Sequence, residues 1–102
     1  MTTMHFLDFL QVYLNENKEI YTVRRFLYEP DNKMVFIPGV GACRRTLVGA
    51  LLNNSEDAEE LLTIYAPKSG LGTFEAWWNK IQMINRKHPT PSLYLYKIVK
   101  VR

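Results

Sequence analysis

The spacing of apolar residues changes along the chain, and this change constrains the fold more than any other feature. Apolar residues recur every three or four positions, as on one face of an α-helix, over residues 3–15, 55–65 and 73–86. Segments rich in β-branched and aromatic residues, which are typical of strands, lie at 19–28, 34–37, 42–52 and 92–101. Their order predicts an α+β domain, with a mainly antiparallel sheet of about four strands packed against about three helices.

The residues between these segments predict how the elements begin and connect. Pro, Asp and Asn within residues 30–33 have the chemistry of a turn, so we expect strands 19–28 and 34–37 to pair as a hairpin. A cap is expected before each helix, because a side-chain oxygen there accepts a hydrogen bond from an amide of the first turn. The candidate capping residues are Thr2 or Thr3, Ser55 and Thr73.

The stretch "PGVGACRR", residues 38–45, has two interpretations. In the first, Gly39 and Gly41 form a bend or bulge that links two strands. In the second, backbone amides converge on an anion, and Arg44 and Arg45 add positive charge. A dinucleotide-binding fingerprint would need a third glycine where Arg44 stands and a helix after it, whereas strand-like residues follow. The bend is therefore the favoured interpretation.

Composition limits the class of protein. A chain of 102 residues, 47% of them apolar, predicts one folded domain over residues 1–102 rather than a disordered chain. No apolar run approaches the length of about 20 residues that spans a bilayer, and the first residues lack the basic segment of a signal peptide. A single cysteine, Cys43, excludes an intramolecular disulfide framework. We therefore expect a cytoplasmic protein without a membrane partner.

The formal net charge of +3 is unevenly distributed along the chain. Residues 55–64 hold four acids and no base, whereas residues 65–102 hold seven Lys or Arg residues and one acid. The basic C-terminal third is a candidate surface for an anionic partner. The alternative is that these lysines and arginines only keep the surface solvated.

The final segment, "SLYLYKIVKVR", adds aromatic residues to this basic region. Alternation along a strand places Tyr94, Tyr96, Lys100 and Arg102 on one face. Tyrosines interleaved with cations are typical of platforms that stack the bases of single-stranded nucleic acid. In the alternative interpretation the tyrosines pack beneath helices, and only their hydroxyl groups reach solvent.

Two arginine pairs and a tryptophan pair supply the remaining candidate binding residues. Alternation sends the members of each arginine pair to opposite faces, so Arg25 and Arg45 can share the solvent face of the sheet as a cationic patch. Ion pairing with nearby glutamates is the alternative. Adjacent helical residues cannot both point to the core, so one of Trp77 and Trp78 is expected to reach a pocket or a partner. Trp78 is the candidate for that role.

The chemistry-bearing residues do not assemble into a catalytic or metal-binding pattern. Cys43 lies far in sequence from the candidate bases His5 and His88, so we expect a small buried thiol. The acids of residues 55–64 lack the spacing of metal ligands. We therefore predict that the protein is not an enzyme and uses no cofactor or metal.

The sequence also contains a candidate internal repeat. At one constant offset, four residues match four others: Phe6, Phe9, Leu10 and Tyr13 align with Phe74, Trp77, Trp78 and Ile81. A duplicated helix–strand motif would produce this match, because a strand segment follows each set. Coincidence is the alternative, since any two amphipathic helices share the same spacing.

The stretches "ELLTIYAPKSGLGTFEAWWNKI" and "LYLYKIVKV" resemble the ASCH branch of the PUA-like superfamily. The shared features are Ser69-Gly70, the capping Thr73, Glu75 and Trp77, followed by a final strand. This resemblance implies a small β-barrel with RNA-related ligands. The whole chain, with tracts such as "FLDFLQVYLNENKEIYTVRRFLYEP", is also similar to small proteins of filamentous viruses of hyperthermophilic archaea, of the Acidianus virus type. That resemblance implies a protein of the host-cell cytoplasm.

Two classes of function therefore stay open. The first is a protein-interaction or virus–host factor, which acts on a protein or peptide partner or as a homodimer. The alternative is a nucleic-acid-binding module of the PUA or ASCH type, using the basic, Tyr-bearing C-terminal strand. An exposed apolar surface would favour the first class, and a contiguous basic stripe would favour the second.

Overall fold

The structure, a computed structural model, describes residues 2–101. Its helices are α1 (Asp8–Asn17), α2 (Ser55–Tyr65) and α3 (Phe74–Asn85), with a short 3-10 turn at Ala66–Lys68. Its strands are β1 (Thr2–Thr3), β2 (Glu19–Arg24), β3 (Lys33–Ile37), β4 (Gly41–Leu52) and β5 (Ser92–Lys100). These elements confirm the predicted α+β class. Within residues 2–101, no helix is long and apolar enough to cross a bilayer.

The strands form one open sheet in the order β1-β3-β4-β5-β2, so β1 and β2 are its edges. β1 runs parallel to β3, and the other neighbouring strands are antiparallel. This five-stranded sheet has one strand more than the sequence predicts. It is also open, rather than closed into the barrel that the ASCH resemblance implies.

The additional strand comes from residues 2–3, where the sequence predicts a helix cap. They pair with β3, and the Met4 amide continues this contact by donating to the Phe36 carbonyl oxygen at 2.9 Å. α1 consequently begins at Asp8 rather than near residue 3. Its N-cap is Leu7, whose side chain has no oxygen, so this helix starts without a side-chain cap.

The predicted hairpin between β2 and β3 is wrong. β2 pairs with β5, and β3 pairs with β4 across a tight turn in which the Val40 amide donates to the Ile37 carbonyl oxygen at 2.9 Å. The bend interpretation of the stretch "PGVGACRR" is therefore confirmed. Turn chemistry indicates where the chain reverses locally, but it does not determine which strand becomes the neighbour.

The connection from β2 to β3 must cross the sheet, because β4 and β5 lie between these two strands. Residues 30–33, the predicted turn, form the end of this connection. Two hydrogen bonds to the sheet hold this connection in place. The Tyr28 amide donates to the Tyr96 hydroxyl oxygen at 2.7 Å, and the Leu47 amide donates to the Asp31 carboxylate at 2.8 Å.

Helices pack on both faces of the sheet. α1 lies on one face, the α1 face, where Leu14 and Ile98 belong to one buried cluster. α2 and α3 lie on the other, the α2–α3 face, where Trp77 and Leu95 belong to a second buried cluster. β5 contributes buried residues to both clusters, because successive side chains of a strand point to opposite faces. Its burial on both sides accounts for its place in the interior of the sheet.

Because of a β-bulge, β4 contributes residues to both buried clusters. The register between β4 and β5 shifts between Leu47 and Gly49. Before the shift, Cys43 joins the cluster on the α1 face; after it, Leu51 joins the cluster on the α2–α3 face. The bulge therefore moves the odd-numbered residues of one strand from one face to the other.

The packing does not support the candidate internal repeat. β2 and β5 are antiparallel neighbours, and a local two-fold axis normal to the sheet would leave their preceding helices on the same face. α1 and α3 instead lie on opposite faces. The aligned residues also differ in their roles, since Phe9 is exposed whereas Trp77 is buried. Shared amphipathic spacing is sufficient to explain the match.

Candidate functional site

α2 and α3 cover only one half of their sheet face, and two rows of side chains occupy the other half. Strand register defines the first row as Met34, Arg44, Val99 and Glu19. The register defines the second row as Thr3, Phe36 and Ala42. Val101 extends this row, because its amide donates to the Ala42 carbonyl oxygen at 3.0 Å. We call these two rows the open face.

The open face is largely apolar. Phe36 is 44% exposed, and Val99 and Val101 are exposed as well. Arg44 projects from the middle of the first row and donates to the carbonyl and side-chain oxygens of Asn32, both at 3.3 Å. Contiguous exposed apolar side chains with charges among them are typical of contact surfaces for other macromolecules.

A small ion-pair cluster lies at the β2 end of the open face. Glu19 accepts Lys97 at 3.2 Å and Lys68 at 3.9 Å between nitrogen and oxygen. The hydrogen bond that Lys97 donates to Glu19, together with the negative charge of Glu19, raises the pKa of the Lys97 ammonium group. One carboxylate therefore faces two ammonium groups here, and Arg44 adds a third positive charge to the same half of the sheet.

Tyr94, Tyr96 and Lys100 share one face of β5, as alternation predicts, but α1 covers that face. Tyr96 is fully buried, its hydroxyl oxygen accepts the Tyr28 amide, and burial raises the pKa of its phenol. Lys100 donates to the Asn15 side-chain oxygen at 2.8 Å, and Tyr94 packs half-buried against the same cluster. Tyr96 consequently cannot stack on a base, so the predicted stacking platform is not formed by this face.

The arginines are arranged differently from the prediction. Arg45 is buried on the α1 face, so it does not contribute to a solvent-facing patch. Arg25 lies past the end of β2, where it donates to the His88 carbonyl oxygen at 3.2 Å and stacks 4.9 Å from the Phe26 ring. The arginine that shares the face of Arg45 is Arg24, because Arg24 pairs with Tyr94 and Arg45 with Ile98, both on the α1 face. Arg102 lies outside the described residues.

The tryptophan pair divides between the core and its margin. Trp77 is buried in the cluster on the α2–α3 face. Trp78 is half-buried at the edge of this cluster, and its ring stacks on Phe74 with centroids 6.0 Å apart and planes 17° apart. The expected separation of the two side chains is confirmed, while contact of Trp78 with a partner stays a prediction.

The glycine bend and Cys43 both have structural surroundings. Asn15 of α1 donates to the Gly39 carbonyl oxygen at 2.8 Å, so the helix packs directly on the bend. Cys43 is fully buried, as predicted, and burial raises the pKa of its thiol, although the charge of Lys100 acts in the opposite direction. A raised thiol pKa disfavours the thiolate, which is the nucleophilic form.

The open face went unpredicted, although one signal for it is present in the sequence. β3 reads "KMVFI", and its apolar residues alternate onto both faces: Val35 and Ile37 are buried, whereas Met34 and Phe36 point to the open face. A strand with apolar residues on both faces requires cover on both faces. The described helices supply that cover for β3 on the α1 face alone.

No family model matches the chain, and comparisons with curated proteins and with solved structures give no match either. The resemblances to ASCH proteins and to archaeal viral proteins therefore stay predictions.

Proposed function

We propose that the chain is a protein-interaction module that associates with a second copy of itself through the open face. The observation that carries this proposal is the uncovered half of the α2–α3 face, on which Phe36, Val99 and Val101 are exposed together. Burying these side chains against a second apolar sheet would remove them from water, which is the dominant favourable term in most protein association.

Charge complementarity favours a second copy as the occupant. The geometry considered is a two-fold axis that lies between two facing sheets, parallel to the strands and midway between β4 and β5. This axis places β4 of one copy over β5 of the other. The first row of one copy then faces the first row of the other copy in the opposite order; this row is Met34, Arg44, Val99 and Glu19. Arg44 comes to lie over the partner's Val99. The partner's Glu19 is on the adjacent strand, about 4.8 Å to the side, with the two sheets about 10 Å apart. Arg44 thus gains a carboxylate across the interface.

The test is sedimentation of the wild-type protein and of Phe36→Lys. We expect a concentration-dependent dimer for the wild type. We expect Phe36→Lys to weaken it by about tenfold or more, because each copy would bury an added cation near its own Arg44 in place of an apolar ring. Ile64→Lys is the matched control: Ile64 is exposed on α2, away from the open face, so the same change there should leave the dimer intact.

A wild-type protein that stays monomeric up to about 1 mM, where a contact worth roughly −4 kcal/mol is half-occupied, contradicts the proposal. So does equal dissociation by Phe36→Lys and Ile64→Lys. Circular dichroism of each variant separates loss of the dimer from loss of the fold, and Val99→Lys provides a second position on the same face.

Single-stranded nucleic acid is a second candidate ligand of the open face. The favouring observation is that the exposed Phe36 ring lies on the same uncovered surface as Arg44, on the neighbouring strand. An aromatic ring beside cations on an open sheet stacks a base while the cations contact phosphates. This candidate uses the sheet face opposite to the one that carries Tyr94 and Tyr96.

Fluorescence anisotropy of a labelled mixed-sequence oligonucleotide tests this candidate. Each neutralised phosphate of a single strand contributes a salt slope of about 0.7. Arg44→Ala should therefore reduce the slope by about that amount, whereas Arg86→Ala, on the C-cap of α3, should not. Phe36→Ala should cost on the order of 1–3 kcal/mol with the slope unchanged. Undetectable binding at low salt rules the candidate out.

A further inference from the structure

Arg45 is buried without a compensating charge. Its side chain is on the α1 face and only 4% of the residue is exposed. The two ion pairs found among residues 2–101 both involve Glu19 and a lysine, and neither includes Arg45. Its Nε atom is buried and has no hydrogen-bond partner in that range. A buried charge without a partner is strongly unfavourable, so such a group calls for an explanation.

Arg24 repeats this situation nearby on the same face. Its Nε atom is also buried and unpartnered, and one terminal nitrogen donates to the His5 carbonyl oxygen at 2.9 Å. Burial lowers the pKa of its guanidinium group, which shows that the surroundings disfavour the positive charge. Two neighbouring guanidinium groups thus lack an anion.

Aromatic rings compensate only part of this cost. The Arg45 guanidinium carbon lies 4.6 Å from the centroid of Tyr28 and 5.8 Å from that of Tyr96, and Arg24 lies 4.6 Å from Phe6. These contacts use the flat faces of the guanidinium groups. The N–H groups point out from the edges, so these ring contacts leave both Nε–H donors without an acceptor.

Both arginines line one cavity of about 180 Å³. Its remaining lining consists of residues from the N-terminal segment and the connection after β2: Thr2, Thr3, Met4, His5 and Tyr28. The volume corresponds to about six water molecules at roughly 30 Å³ each. It is therefore large enough for a tetrahedral oxyanion. Thr2, Thr3 and His5 are exposed, so they form the rim.

We propose that this arginine pocket binds a phosphate dianion, either inorganic phosphate or the phosphate of a monoester. Two monocationic guanidinium groups match a dianion in charge, and arginine donors match the oxygens of phosphate in geometry. The Thr2 hydroxyl at the rim can donate to a further oxygen, since Thr2 pairs with Val35 of the α1 face. The pocket is on the opposite sheet face from the open face, so this inference is independent of self-association.

The direct test is NMR of the arginine Nε–Hε groups of the wild-type protein, titrated with inorganic phosphate at constant ionic strength. We expect the Arg24 and Arg45 signals to shift in a saturable way, because a dianion bound in the cavity changes the electrostatic surroundings of both guanidinium groups. Methyl phosphate is the second probe and reports whether a monoester enters. Acetate is the third, and equal affinity for acetate would overturn the assignment to a dianion.

Arg45→Met removes the charge and keeps an unbranched side chain of similar length. It should weaken phosphate binding by about tenfold or more, the loss expected when a charged hydrogen-bond donor is removed. Arg86→Met is a matched control, since Arg86 is exposed at the C-cap of α3 and does not line the pocket. It should change the affinity by less than about twofold.

Arg24→Met is a second variant, in case Arg45→Met does not fold, and it should weaken binding similarly. Unchanged Nε–Hε signals of both arginines at tens of millimolar phosphate would overturn the proposal. So would equal phosphate affinity in the wild type and either pocket variant. Because the NMR titration uses the wild-type protein, this result does not depend on the folding of any variant.

Discussion

Two glycines in the connection between α2 and α3 have nearly the same backbone conformation but different surroundings. The φ angle is +83° at Gly70 and +82° at Gly72, a region that residues with a Cβ atom rarely adopt. A Cβ atom on Gly70 would lie 2.6 Å from Leu10 Cδ2 of α1, whereas one on Gly72 would meet no atom within 4 Å. Gly70 therefore permits close contact between this connection and α1 around the edge strand β2.

We predict that Gly72→Ala lowers the free energy of unfolding by about 1–2 kcal/mol through backbone strain alone. Gly70→Ala should lower the free energy of unfolding by this amount and by roughly 0.5–1.5 kcal/mol more, because the Leu10 side chain must leave its preferred rotamer. Urea denaturation of the two variants measures the difference. Equal losses of unfolding free energy in both variants would show that the close approach of Leu10 adds nothing to the cost of a Cβ atom at residue 70.

At the scale of single elements, α2 has a side-chain N-cap as expected, but the capping residue is the one before the predicted residue. The sequence predicts Ser55 as the N-cap, but the structure assigns this role to Asn54. The Asn54 side-chain oxygen accepts the Asp57 amide at 2.9 Å, and its amide nitrogen donates to the Asp57 carboxylate at 2.8 Å. The Asn54 side chain therefore satisfies both groups of Asp57. At α3 the predicted cap, Thr73, is confirmed.

We predict that Asn54→Ala destabilises the protein by about 1 kcal/mol, the usual cost of removing a helix cap. Ser55→Ala is the control, and it should change the free energy of unfolding by less than about 0.5 kcal/mol because Ser55 is an exposed first-turn residue. Thermal unfolding followed by circular dichroism gives both values. A larger loss in Ser55→Ala than in Asn54→Ala would contradict the assignment.

At the scale of the whole molecule, one sheet carries two different surfaces. The α1 face is covered and encloses the arginine pocket, while the α2–α3 face is covered over one half and leaves the open face on the other. Arg44 and Arg45 are adjacent in sequence, yet they belong to different surfaces because successive strand residues point to opposite faces. Variants at the two positions should therefore affect dimer formation and phosphate binding separately.

The local pattern of the sequence determined most of the elements. The predicted bounds of α2 and the start of β5 agree with the structure, because the period of apolar residues is a property of a few neighbouring positions. Alternation also correctly grouped Tyr94, Tyr96 and Lys100 on one face of β5. The burial of Cys43 was predicted because a thiol behaves as a small apolar side chain.

Only the tertiary structure decided which strands pair and which faces are covered. β2 lies beside β5, more than 65 positions away in sequence, because β5 has apolar residues on both faces and is buried by taking an interior position. Alternation gives the relative phase of side chains, but it does not say which face receives a helix. For that reason Tyr96 and Arg45, which the sequence offers as binding residues, are buried beneath α1, whereas Phe36 is exposed. The positions of both proposed sites follow from these long-range contacts, which no short stretch of sequence contains.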